Sequence, residues 1–136
     1  MQASLELQRA LVASLAADGA IRARGLKLYD GPPADAPAPY LSVGADVVSA
    51  RSWQGGGGYE HRFSVTLWDA REGFASAKQG LSEVERVVLA MPGHVGGLRL
   101  MGVRLVRATV RRTARNWTQG IAEFRALSVK EDEHGG

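Results

Sequence analysis

No cysteine occurs among the 136 residues. A disulfide framework, a thiolate metal site and a cysteine nucleophile are therefore excluded, and the chain suits assembly in a reducing compartment. Histidine is scarce: His61, His94 and His134 show no HxH, HxxxH or HExxH spacing, so no metal set is legible. No segment approaches the ~20 consecutive apolar residues of a membrane helix. Near the N-terminus Glu6 and Arg9 interrupt the apolar pattern, and no basic run precedes an apolar one. A secretory signal is not expected there. Lysine is rare as well. Of the 17 basic residues only Lys27, Lys78 and Lys130 are lysines, so the formal charge of +3 is carried by arginine. Arginine pairs with carboxylates and phosphates in planar, bidentate geometry.

Catalytic signatures are missing too. Neither GxxxxGK[ST] nor GxSxG occurs. The run Gly55–Gly58 leads into a strand pattern, whereas phosphate-binding glycine loops act at a helix N-terminus. Glu60, His61 and Asp69 could be drawn as an acid–base cluster, but strand neighbours 60 and 61 face opposite sides of a sheet. His61, on an apolar strand face, reads as a core or interface histidine. No catalytic, cofactor-binding or metal residue is assigned, and no cofactor is expected.

What remains has the size of one domain, residues 1–136, large enough to bury roughly 70% of its unfolded surface. Apolar residues make up 45% and charged residues 23%, ordinary for a folded domain. Leu7, Leu11 and Leu15 recur at helical spacing within 4–17, with Ser4 a candidate cap and Asp18-Gly19 a stop. A short extended piece follows at 26–29. Four of the five prolines then crowd into residues 32–39 and read as a stiff surface strap. Alternation predicts strands at 40–48 and 59–68, joined by a flexible loop at about 49–58 that holds four glycines. Phe74, Ala77, Leu81, Val84, Val88 and Met91 form a helical stripe over 73–91, with Asp69 a candidate cap and Pro92-Gly93 a stop. Strands are expected at 98–112, with Val106, Ala108 and Val110 on one side and Arg107, Thr109 and Arg111 on the other, and at 121–130, then a frayed polar tail at 131–136. The fold class is α+β: an antiparallel-rich mixed sheet of about four to five strands with two helices packed on one face. Leu11, Leu15, Phe63, Val65, Leu81, Val84, Val88 and Phe124 form the expected core.

Two groups combine arginine with aromatics. One is Arg51, Trp53, Tyr59 and Arg62; the other is Arg104, Arg107, Arg111, Arg112 and Arg115 with Trp117. Such residues anchor protein interfaces, line solvated faces or stack on single-stranded nucleic acid, in that order of preference. Arg51, Trp53, Tyr59, Arg62, Arg107, Arg111, Arg112, Arg115 and Trp117 are the candidate interface.

The succession of segments resembles the tail-terminator (tail-completion) family of long-tailed phages and gene transfer agents. It is carried by a helix ending LAADG, by LKLYDGPPADAPAPYLSVG, by the glycines with YEHRFSVTLWD, by GFASAKQGLSEVERVVL, and by GLRLMGVRLVRATVRR with AEFRALSV. These cover about residues 4–130. The resemblance implies a virion structural component without enzymatic activity. Its subunits form a ring, usually a hexamer, capping the head-proximal end of the tail tube in a phage or gene-transfer-agent particle. Implied partners are other copies of itself, the major tail tube protein and the head completion or connector proteins. DNA passes through without specific recognition, no membrane is involved, and assembly takes place in the bacterial cytoplasm. The alternatives are a nucleic-acid-binding module using an arginine-rich hairpin, and an enzyme whose site is not legible.

Overall fold

The computed structural model describes residues 1–31, 33–114 and 116–130, the side chain of Ala45 apart. Arg115, His134 and the tail expected at 131–136 lie outside the described residues. Among the described residues three helices and six strands follow in the order α1 (Gln2–Ala17), α2 (Gly19–Ala23), β1 (Lys27–Asp30), β2 (Tyr40–Trp53), β3 (Gly56–Asp69), α3 (Ala75–Leu89), β4 (His94–Val95), β5 (Leu98–Arg112) and β6 (Thr118–Lys130). The strands form one sheet in the order β1-β2-β3-β6-β5-β4. Only β1 and β2 pair in parallel; the other neighbours are antiparallel. The α+β class and the antiparallel-rich mixed sheet are as expected. Beyond the expected elements there are α2, which Asp18 caps by accepting from the Ile21 amide, and the two-residue β4.

The helices share one face of the sheet. α3 crosses β3, β6 and β5, while α1 lies over β1 and β2 and against α3. Between the layers Leu7, Leu11 and Leu15 meet Ala77, Leu81, Val84 and Val88 above Phe63, Val65, Leu67, Ala122, Phe124 and Ala126, all buried. Phe63 and Phe124 stack at 5.5 Å between centroids. All eight expected core residues are buried. In β6 buried and half-buried residues alternate along the strand, the mark of a sheet covered on one side only.

Four local expectations fail, each for a traceable reason. Ser4 is not a cap: α1 begins at Gln2, and the buried Ser4 hydroxyl donates to Asp46 in β2 at 2.5 Å. Asp69 does not cap α3, which starts after Phe74 without a side-chain cap; its carboxylate accepts instead from the Arg71 amide. Val106 is not in phase with Ala108 and Val110, because the β5–β6 register shifts between Leu105 and Arg107 and leaves Val106 49% exposed. Finally, residues 49–58 are not an open loop. Strand pairing runs to Trp53 and Gly56 and leaves only Gln54 and Gly55 as the turn. Gly55 has φ +88°, a Cβ on Gly57 would lie 2.9 Å from the Arg51 carbonyl oxygen, and one on Gly58 would run into that of Ser128. The glycine run is thus demanded by close backbone packing.

Candidate functional site

The face of the sheet opposite the helices carries most of the candidate residues. Register places Arg51 beside Gly58, Arg62 beside Arg125, Arg104 beside Arg125, Arg107 beside Glu123 and Arg111 beside Gln119. Trp53 shares this face at the end of the β2–β3 arm and is 42% exposed. Arg99, opposite Val129, extends the series along β5. The expected Arg51, Arg62, Arg107 and Arg111 are therefore brought together, with Arg99, Arg104 and Arg125 added. Half-buried Ile121, Leu127 and Val129 lie among them.

Two carboxylates organise these cations. Glu60 is nearly fully buried, although its charge points away from the helices. It accepts from Arg125 at 2.7 Å and Arg62 at 3.0 Å, and Arg51 stands 3.4 Å away. The Arg125 hydrogen bond first, and the Arg62 bond next, lower the Glu60 pKa from 4.5 to about 2. This ion cluster ties the root of the arm to β6. Glu123 is paired within the chain with Arg107. Arg111 donates to Gln119 at 2.7 Å. Arg99 and Arg104 have no hydrogen-bond or ion-pair partner among the described residues.

Two candidates lie on the helix side, and a third flanks the arginine row. Arg112 points to the helix side, where its guanidinium donates to the Arg71 carbonyl at 3.0 Å and to Thr118 at 2.9 Å. It braces the loop before α3. Trp117 packs on Tyr40 and Trp68, at 6.4 and 6.2 Å, and register sets both of those rings on the arginine face, Trp68 beside Gln119. Tyr59 lies on the helix side, its ring 6.5 Å from His61. His61 itself is fully buried and makes a 2.7 Å hydrogen bond to Ser128 through Nε2, while Nδ1 has no partner. Burial lowers its pKa below the ordinary imidazole value, so this histidine belongs to the core.

A second feature is the outer edge of β5. β4 pairs only with Leu98 and Arg99, so from Met101 to Arg112 β5 has no outer strand neighbour among the described residues. Beside this edge, between β5 and α3, runs an open groove of about 560 Å³ lined by Phe74, Lys78, Leu81, Glu85, Leu105 and Val110. Sequence alternation alone gave no sign of it, because strand order decides which strand ends the sheet. Among the described residues no group of three or more His, Asp or Glu could hold a metal ion, and no helix is long and apolar enough to cross a membrane.

A family model described as tail completion protein gp17 matches residues 9–128. A chain from the virion of a native gene transfer agent particle has a similar structure, with a TM-score of 0.78 and 29% sequence identity. The match covers 90% of this chain and 93% of that one. No curated protein matches the sequence.

Proposed function

The chain belongs to the tail completion protein gp17 family, and on that premise we propose that it is a ring-forming tail terminator. Tail completion is a structural role in a phage or gene-transfer-agent tail, so the family is not an enzyme family. In the reading proposed here, copies of the chain close into a hexameric ring. The ring caps the head-proximal end of the tail tube and joins it to the head completion proteins, with DNA passing through. It works by shape and contact, without a reaction or a cofactor.

The observation that carries this reading is the match to a gene-transfer-agent virion chain over nearly the full length of both chains. The arginine face supports it, because arginine and tryptophan among half-buried aliphatics is the composition of a contact surface. We propose that this face, with Arg51, Trp53, Arg62, Arg107 and Arg111, docks on a neighbouring particle protein, its charges setting register and partner choice. Of the other candidates, Arg112 acts as an internal brace and Trp117 as part of the aromatic group.

The test is charge reversal on the face by the double substitution Arg104→Glu and Arg111→Glu, assayed by sedimentation, electron microscopy and tail completion. Expected are an unchanged fold and a loss of completed tails. Normal tail yield from the doubly reversed chain would exclude the face as a docking surface. A purified wild-type chain that stays monomeric at every concentration and also fails to form rings on tail tubes would exclude the ring. Nucleic-acid binding is the second reading, favoured by the same excess of arginine, and its separate test is salt dependence.

A further inference from the structure

We propose that the ring closes by strand addition: the free edge of β5 in one copy pairs, antiparallel, with the edge strand β1 of the next copy. This rests on the ring reading above and specifies its joint.

The first observation is strand polarity. β1 runs parallel to β2, and each step from β2 through β3 and β6 to β5 reverses direction. β1 and β5 are therefore antiparallel and lie at opposite sides of the sheet. A second copy placed alongside with the same face outward sets its β1 antiparallel to the first copy's β5, so the sheet can continue from copy to copy. Such head-to-tail contacts between unlike surfaces generate closed rings. An unpaired strand edge is a template for added strands.

The second observation is that each edge is flanked by a recess on the helix side. The β5 edge adjoins the 560 Å³ groove under α3. The β1 edge adjoins one of about 370 Å³ lined by Leu15, Ala16, Arg22, Leu26 and Leu28. Phe74, at the mouth of the first groove, is 40% exposed although aromatic.

Side chains on the two strands then match by face. Leu28 shares the helix side with Leu41, and Tyr29 shares the other face with Ser42. In the added position Leu28 enters the groove floored by Leu105 and Val110. Tyr29 comes to the side of Arg107 and Arg111, where a guanidinium can stack on its ring.

Absence of cysteine in the native chain makes the test clean. Tyr29→Cys is combined in one chain with Arg107→Cys, Thr109→Cys or Arg111→Cys, and each variant is oxidised under mild conditions. The two positions lie on opposite edges, so a disulfide between them joins different copies. Expected is a ladder of covalent multiples ending at a closed ring in one register, with no ladder from the single variants. Melting temperatures of the reduced variants near wild type show that folding is kept. Rings without a ladder in any register would overturn strand addition while leaving the ring intact. A covalent dimer from Thr109→Cys alone, in the yield expected for the ladder, would mean that β5 pairs with β5 and would overturn the head-to-tail joint. A chain that never forms rings would overturn this proposal together with the ring reading.

Discussion

At Glu60 three cationic side chains converge on one buried carboxylate, and the consequences can be read against pH. Its folded pKa of about 2 lies below the ordinary 4.5. A depressed carboxyl pKa contributes stability that is complete above the ordinary value and is lost as pH falls through the folded one. The Glu60 contribution therefore fades between pH 4.5 and about 2. His61 acts earlier in an acid titration. Burial holds its pKa below that of a free imidazole, with Asp46 opposing the shift, so the folded state takes up the proton less readily than the unfolded chain. Its contribution is complete above ~6.5 and declines below that. Denaturant unfolding measured at pH steps from 7 to 2 is expected to show both limbs. Glu60→Gln should lower stability at pH 7 and shrink the limb below 4.5, leaving the part due to Asp18, which Arg86 also holds below the ordinary carboxyl range; an unchanged lower limb would show that Glu60 does not contribute to it. Packing gives a second prediction. A Cβ on Gly120 would lie 2.9 Å from a Leu81 methyl, so Gly120→Ala overpacks the contact between β6 and α3. A loss of about 1–3 kcal/mol is expected. Leu81→Ala, which opens a cavity at the same contact, is expected to cost about 2–5 kcal/mol. If Gly120→Ala proved neutral by chemical denaturation, the glycine would not be required by Leu81.

The β2–β3 arm shows where reading elements from sequence succeeds and where it stops. Alternation located His61, Phe63, Val65 and Leu67 on the core face and Arg62, Ser64 and Thr66 on the other, as their burial bears out. Period-3.6 patterning found α3, because one stripe of it is covered by the sheet. The same reasoning took SARSWQGGGG for a loop. Glycine has no side chain to alternate, and the close approaches of Gly57 and Gly58 involve backbone oxygens that no local pattern reveals. In β5 two register shifts break the alternation, so only pairing with β6 shows that Arg104 and Arg107 share a face. The convergence of Arg51, Arg62 and Arg125 on Glu60 was illegible for a similar reason, since three strands contribute to it. An arm paired along both strands predicts that alternate amides of 51–53 and 56–58 exchange measurably slower than an open loop in the free subunit. Gly57→Ala should raise those rates while leaving the core amides of β3 and β6 unchanged, because the atoms nearest the added Cβ belong to Arg51 and Ser52 of the arm itself. Exchange at unprotected rates in the wild-type arm would contradict the paired hairpin.

On the scale of the whole molecule the question is whether the arginine face meets protein or phosphate. Seven arginines, Arg51, Arg62, Arg99, Arg104, Arg107, Arg111 and Arg125, share the face. Three of them converge on Glu60, and Arg107 pairs with Glu123. Cations already held by carboxylates release few counterions on meeting a phosphate chain. Arg111 bonds only to a neutral amide, so at most Arg99, Arg104 and Arg111 remain to neutralise phosphates. For about three phosphate contacts the logarithm of affinity falls with the logarithm of salt at a slope of about −3. Binding to duplex or single-stranded DNA should then be weak and disappear at moderate salt. Ring assembly, seated on paired strand edges and apolar grooves, should persist, because hydrophobic burial and backbone hydrogen bonds are little screened. Titrating salt against DNA binding by fluorescence anisotropy, and against oligomeric state by sedimentation, separates the two. A slope of −6 or steeper would mean that the paired arginines also engage phosphate. The nucleic-acid reading would then displace the protein contact as the role of this face. A shallow slope, with rings surviving high salt, is the expected result.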